Sequence, residues 1–470
     1  MLIGLSAFIL FAAFLMLGTE VAIWLLAAAQ LCLLANEIRK GQVMGGGAFL
    51  FMSFLFFGMR PIYLVLERDH YLFTRIFLFR PDLTQITDAM WWATLSLLCF
   101  SLALQLAPKI HRGYLERRFA ANKSKTEFLN SRQQAPALLV AAQIFTLPIM
   151  YYLAVNVGKA LRGTGLGAYG YELPIPMQAL HIFAVVFFFD RYLRRKSISN
   201  IVLMCLSTLV FLAFSWLMRD VSNFRGFYLT GVMIVGIACL QRWLPRVSYA
   251  WLIVPIIVAQ PLFQYLGQSR KAANVDLTEQ NIAAEVFEDR GVIHAYWSFY
   301  EAQSGDMNIF DTFVAAKQNE PKFKPYLWSW IYVPFHLIPR KLWPGKPERG
   351  VTQDISYNRG APLSPGIIGF FLRDGGLIWM LGSMFVLGYL IALLDWYVRT
   401  MPAGYLRCCL ISITVINAMY LTRFYLWQYF YQVLYAAIPC IVLAWYLKKK
   451  GFRAPRRTVV GAVRQTAASG

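Results

Sequence analysis

Leu377-Ile378-Trp379-Met380-Leu381-Gly382-Ser383-Met384-Phe385-Val386-Leu387-Gly388-Tyr389-Leu390-Ile391-Ala392-Leu393-Leu394 runs without a single charged side chain. As a helix this run would cover about 27 Å, close to the ~30 Å thickness of a bilayer's hydrocarbon core. Comparable runs recur along the chain, and they are continuous rather than alternating, which reads as helix and excludes a transmembrane β-barrel. The composition agrees: 58% of residues are hydrophobic, 15% are charged and mean hydropathy is +0.49. A soluble domain would carry about a quarter charged residues. The sequence therefore describes an all-α polytopic membrane protein.

Working outward from this run, the pattern predicts about 12 transmembrane helices. They fall near residues 2–17, 21–35, 45–66, 88–106, 136–155, 177–189, 201–218, 227–240, 249–266, 377–394, 408–421 and 429–447. The chain divides into a membrane part over 1–266, one large loop over 267–365, a second membrane part over 366–450 and a basic tail over 451–470. The formal net charge of +21 could point to nucleic acid. Its location excludes that partner. The large loop carries equal numbers of basic and acidic residues, so the whole excess lies elsewhere. It sits in short connections such as Glu37-Ile38-Arg39-Lys40, 109–132, Arg191–Lys196, Arg242, Arg246, Arg399, Arg407 and Lys448–Lys450. Alternating spans place all of these on one side, which makes that side and both termini cytoplasmic by the positive-inside rule. The large loop then faces outward.

All seven cysteines (Cys32, Cys99, Cys205, Cys239, Cys408, Cys409, Cys440) fall in apolar segments, which favours packing over disulfide, zinc or nucleophile roles. Gly163-Thr164-Gly165-Leu166-Gly167 follows a span rather than a strand and has no Walker lysine, so it reads as a flexible connection.

Arginine is concentrated at helix ends on the outer side: Arg219, Arg225, Arg270 and Arg423. A single one is explained by snorkelling to the interface. As a set on one face they predict an anion site, because guanidinium binds phosphate through paired, charge-assisted hydrogen bonds. Arg225 also directly precedes a helix, whose free N–H groups could serve the same anion. Within the large loop, Arg290, His294, Trp297 and Glu301 are spaced to share one helical face. His294, Glu301 or the nearby Asp289 could act as a general base towards a hydroxyl. The same spacing equally suits a solvated amphipathic helix, and Gly291 weakens the helix. The stretch 325–343 is aromatic and broken by prolines, which predicts an interfacial or re-entrant element with Arg340, Lys341 and Lys346 beside it. Arg60, within a span, is a further intramembrane candidate.

Pro339-Arg340-Lys341-Leu342-Trp343-Pro344-Gly345-Lys346-Pro347, Ser364-Pro365-Gly366-Ile367-Ile368-Gly369 and Gly375-Gly376 resemble the Wzy family. These are polymerases of lipid-linked oligosaccharide repeat units, including O-antigen and enterobacterial common antigen polymerases. The order of spans seven to twelve around one long outer loop is similar too. The resemblance implies a GT-C-like membrane glycosyltransferase of the bacterial inner membrane, working without metal or cofactor on the periplasmic face. Its donor and acceptor would be undecaprenyl-pyrophosphate-linked glycans, and a chain-length co-polymerase is an implied partner. Arg225, Arg270, Arg290, Arg340 and Arg423 would hold pyrophosphate. Trp297, Trp343 and Lys346 would line the substrate under a lid formed by the loop on the outer surface. The alternatives are an O-antigen ligase-type transferase and a lipid-linked oligosaccharide flippase or other transporter. A transporter should show internal repetition and mid-span polar residues. The sequence reads as nearly free of mid-span charge.

Overall fold

A computed structural model describes residues 1–40, 44–66, 81–123, 134–152, 174–221, 225–244, 308–318, 328–335, 365–401, 404–423 and 426–451. Every regular element among them is a helix. In chain order these are α1 (Leu2–Leu15), α2 (Glu20–Ile38), α3 (Gly45–Leu66), α4 (Leu83–Ile110), α5 (Arg112–Lys123), α6 (Gln134–Tyr152) and α7 (Pro174–Arg194). They are followed by α8 (Ile198–Val221), α9 (Arg225–Trp243), α10 (Asn308–Gln318), α11 (Trp328–Phe335), α12 (Gly366–Arg399), α13 (Tyr405–Leu421) and α14 (Leu426–Gly451). Six helices among the described residues are long and apolar enough to cross a membrane: α2, α3, α4, most of α8, α12 and most of α14. The membrane class therefore holds. The expected span over 249–266 lies outside the described residues.

Two compact units make up the chain. Unit 1 comprises 1–124, 233–401 and 407–434, and unit 2 comprises 125–232, 402–406 and 435–470. In unit 2, α7 is the central helix. Its residues from His181 to Phe188 are buried without interruption, as expected of a helix apolar on every face. It packs against α6 and α8. Phe183 and Phe187 both meet the Tyr405 ring edge-on, at 5.2 and 5.4 Å between centroids.

Unit 1 is built on the pairing of α4 with α12, which share its most extensive helix contact. Their backbones come close because Gly388 has no side chain: a Cβ there would lie 2.5 Å from the Phe100 carbonyl oxygen. Small residues are what allow helices to approach in a membrane, where lipid competes for apolar contact. At one end of this pair, the Asp395 carboxylate accepts from the backbone N–H groups of Gly45 and Gly46, both at 3.0 Å. It thereby caps α3 from another helix, supplying acceptors that the sequence of α3's own N-terminus lacks. His111 and the Tyr389 hydroxyl meet 2.7 Å apart. At the other end, the Gly18 N–H donates to Thr87 Oγ1 at 3.0 Å, and Lys317 pairs with Asp88.

Two helix starts precede the expected ones by five residues or more. α4 begins at Leu83 rather than near residue 88 because Asp82 and Gln85 form a reciprocal capping box, with bonds of 2.7 and 3.0 Å. α12 begins at Gly366 rather than 377 because an apolar arm precedes the glycine pair. Of the cysteines, Cys408, Cys409 and Cys440 are buried, Cys205 is exposed, and all seven are free thiols.

Gly388→Ala should lower the apparent melting temperature of the detergent-solubilised protein by about 5 °C, since the added methyl forces α4 and α12 apart. Gly382→Ala serves as the control. Nothing lies within 4 Å of its new methyl, so it should be neutral or stabilising.

Candidate functional site

The strongest concentration of buried charge in unit 1 lies where segments of the large loop meet the membrane helices. It begins in α3, where Phe54–Met59 form a π-helical turn. Such a turn changes which backbone carbonyls are engaged in the helix, and here Gln30 Nε2 donates to the Phe57 carbonyl at 3.2 Å and to Thr94 Oγ1 at 2.9 Å. Arg60 follows the turn directly. Its Nε donates to Asp311 Oδ1 at 3.1 Å and its Nη2 to Oδ2 at 2.7 Å. Both side chains are essentially sealed, 0% and 1% exposed, and the guanidinium also lies over the Tyr63 ring, 5.6 Å from its centroid.

Asp311 comes from α10, inside the large loop. The residues Ile309 to Ala316 are all buried, and Phe310 and Phe313 meet Phe57 edge-on at 6.1 and 5.7 Å. α10 packs against α12, α4 and the π-helical turn. The expectation that the large loop lies on the outer surface as a lid is thus corrected for this segment. α10 is part of the unit 1 core, because eight successive residues of it carry only one charge and that charge has a partner.

α11 is the second described part of the loop, within the aromatic stretch. Trp330 stacks on Phe371, 5.7 Å apart and nearly parallel, and its Nε1–H donates to Ser383 Oγ at 3.1 Å. The Ser329 N–H donates to Asp374 Oδ2 at 2.8 Å, and the Tyr431 hydroxyl donates to the Val333 carbonyl at 2.9 Å. Ile331 and Phe335 remain exposed. One face of α11 is thus fixed to unit 1 and the other is apolar and open, the arrangement of an interfacial helix.

α12 is interrupted. Its first arm, Gly366 to Asp374, is wholly buried. It ends at Gly375 and Gly376, whose dihedral angles are not helical. Gly376 has φ +80°, a left-handed conformation that favours glycine. At the start of the arm Gly366 has φ +68°, and a Cβ there would sit 2.4 Å from the Thr422 carbonyl oxygen. The turn at Thr422 and Arg423 therefore lies directly against the arm's N-terminus. Arg423 is half-buried there, and its N–H donates to the Tyr420 carbonyl at 3.0 Å.

Of the residues singled out from sequence, Arg423 and Arg60 are described, while Arg225 opens α9 as expected. Arg270, Asp289, Arg290, His294, Trp297, Glu301, Arg340, Trp343 and Lys346 lie outside the described residues. Three buried groups were missed: Asp311, Arg373 and Asp374. The signals were present as one acidic residue in the apolar run Ile309 to Ala316, and a charged pair directly before two glycines.

Compared with protein-family models, curated proteins and solved structures, the chain finds no match.

Arg60→Leu or Asp311→Leu alone should cost about 3–5 kcal/mol, because each removes the salt-bridge partner of a charge held away from water. The double variant should cost less than the sum of the two. Unfolding in detergent followed by tryptophan fluorescence measures this. Costs that simply add would show the pair to be uncoupled.

Proposed function

We propose that this protein is a glycosyltransferase that polymerises undecaprenyl-pyrophosphate-linked repeat units on the outer face of a bacterial inner membrane. The observation that carries the reading is the placement of Arg423 beside the N-terminus of the buried arm of α12. A helix N-terminus carries the positive end of the helix dipole, and here the arm starts at Pro365 as N-cap. Guanidinium binds a phosphate oxygen through paired, charge-assisted hydrogen bonds, and a helix N-terminus favours the same negative charge. The Trp-Pro-Gly-Lys-Pro and Gly-Gly elements support the reading through their resemblance to the Wzy polymerases. The burial of α10 supports it by tying the large loop to the membrane helices that would carry the lipid-linked substrate.

In this reading an acceptor hydroxyl attacks the anomeric carbon of the donor sugar. The bond from that carbon to the pyrophosphate oxygen breaks, and the hydroxyl proton passes to a base. Negative charge grows on the leaving oxygen, so cations placed there stabilise the transition state more than the ground state. Arg225, Arg270, Arg290, Arg340 and Arg423 are the proposed cations. Asp311 and Asp374 are occupied, by Arg60 and by the Ser329 N–H. The base is therefore assigned to the loop residues Asp289, His294 and Glu301. Trp297, Trp343 and Lys346 keep the substrate-lining role. A chain-length co-polymerase is the proposed partner.

A second reading is a flippase for the same lipid-linked oligosaccharide. The interruption of α12 beside buried Arg373 and Asp374 favours it, because broken helices with buried charge are typical of transport sites.

Purified protein in liposomes with a lipid-linked repeat unit should produce a ladder of longer glycans. Movement of the lipid across the bilayer without a ladder would favour the flippase. Arg225→Ala and Arg423→Ala should each reduce elongation by at least about 100-fold, the scale of losing one preorganised transition-state donor, at unchanged expression. Full activity in both would remove Arg225 and Arg423 from the proposed cations.

A further inference from the structure

Unit 2 holds a polar cluster that neither the proposed transfer nor its anion site uses. It lies where α6, α7 and α8 meet, and its members Gln143, Thr146, His181 and Ser207 are buried. Their hydrogen bonds fix one another's protons. Thr146 Oγ1 donates to the Gln143 carbonyl at 2.6 Å. Its 2.7 Å contact with His181 Nε2 therefore requires the imidazole proton on Nε2. Nδ1 is then an acceptor, and Gln143 Nε2 supplies a donor at 3.2 Å. The second amide hydrogen of Gln143 goes to the Ser207 carbonyl at 3.4 Å. Phe214 covers one face of the ring, with centroids 4.2 Å apart.

This arrangement uses every donor of the Gln143 amide and both nitrogens of the imidazole. It leaves two buried atoms with no partner among the described residues, Gln143 Oε1 and Ser207 Oγ. They belong to the two residues that the amide already joins. One is an acceptor only and the other can donate or accept. A water molecule, with two donors and two acceptor sites, satisfies both. Left dry, each would lose its hydrogen bonds to water with nothing in return.

We propose that unit 2 contains an internal hydration site, with one water bridging Gln143 Oε1 and Ser207 Oγ and holding the Gln143 amide in the orientation that locks His181 as the neutral Nε2–H tautomer. The water joins the α6 and α8 side chains, while the amide joins α6 to the imidazole of α7. The charged groups of α7, Asp190, Arg191 and Arg194, begin nine residues beyond His181, about 13 Å along the helix. On α14, the Cys440 thiol donates to the Ala179 carbonyl at 3.7 Å. No charged partner for the imidazole occurs among the hydrogen bonds and ion pairs of the described residues.

Histidine- and glutamine-selective 15N labelling of the full chain in nanodiscs tests this directly. His181→Gln assigns the His181 signals among the five histidines of the chain. The expected spectrum shows a protonated Nε2 and an unprotonated Nδ1 at neutral pH, together with magnetisation transfer from water to the Gln143 amide. Ser207→Ala supplies a second, independent measurement. If water is bound, the variant deprives it of a partner and the apparent melting temperature falls by about 2–4 °C. If the site is dry, the variant removes an unsatisfied buried hydroxyl and stability stays level or rises. An Nδ1–H tautomer, no water transfer to Gln143, or a Ser207→Ala chain as stable as the parent would each overturn the proposal.

Discussion

A guanidinium and a carboxylate that meet away from water hold α10 against the membrane helices of unit 1. Neither Arg60 nor Asp311 can be buried alone, since an isolated charge in such surroundings costs several kcal/mol. Their pairing therefore fixes the register of α10 against α3, and the aromatic contacts around Phe57 follow from that register. The π-helical turn directly before Arg60 is part of the same device, because Gln30 secures the Phe57 carbonyl within it. With α10 in place, α12 packs its first arm against it, and α11 docks on the arm through Asp374 and Trp330.

Much of this was legible in the sequence and some of it was not, for reasons that can be traced to particular residues. Apolar run length declared the membrane class, because a bilayer imposes one length scale on every span. It could not declare α10. A short helix buried by its neighbours is apolar for the same reason as a span, but it lies below span length and sits in a segment of balanced charge. Asp311 was the clue, and its meaning depended on Arg60, 251 positions away in the chain. The start of α4 was missed because a capping box is a local hydrogen-bond pattern that hydropathy does not register. Gly388 looked like any glycine in a span. Its role appears only when the Phe100 backbone is seen beside it. Of the site residues, Arg225 and Arg423 were placed at helix ends correctly, whereas Arg373 and Asp374 were hidden by their position at the edge of an apolar run.

The two units use polar groups in different ways. Unit 1 pairs full charges and caps helix ends with carboxylates, as Asp395 does for α3 and Asp374 for α11. Unit 2, around His181, relies on neutral groups whose protons are assigned by one another. Charge pairs are strong and position-fixing, and they suit the task of fastening a loop. Neutral networks specify orientation at lower electrostatic cost, which suits the inside of a helix bundle.

The break in α12 bears on how the chain meets the bilayer. The part after it, residues 377–399, is about 35 Å long as a helix and can cross without help. The arm before it, from Gly366 to Leu372, is just as apolar and would lengthen the span well beyond bilayer thickness if the two were continuous. Arg373, Asp374 and the two glycines separate them. They separate an arm enclosed by protein, Gly366 to Asp374, from an arm of span length that is partly open along its outer face. One helix thus meets two environments, protein before the glycine pair and a bilayer-length apolar stretch after it.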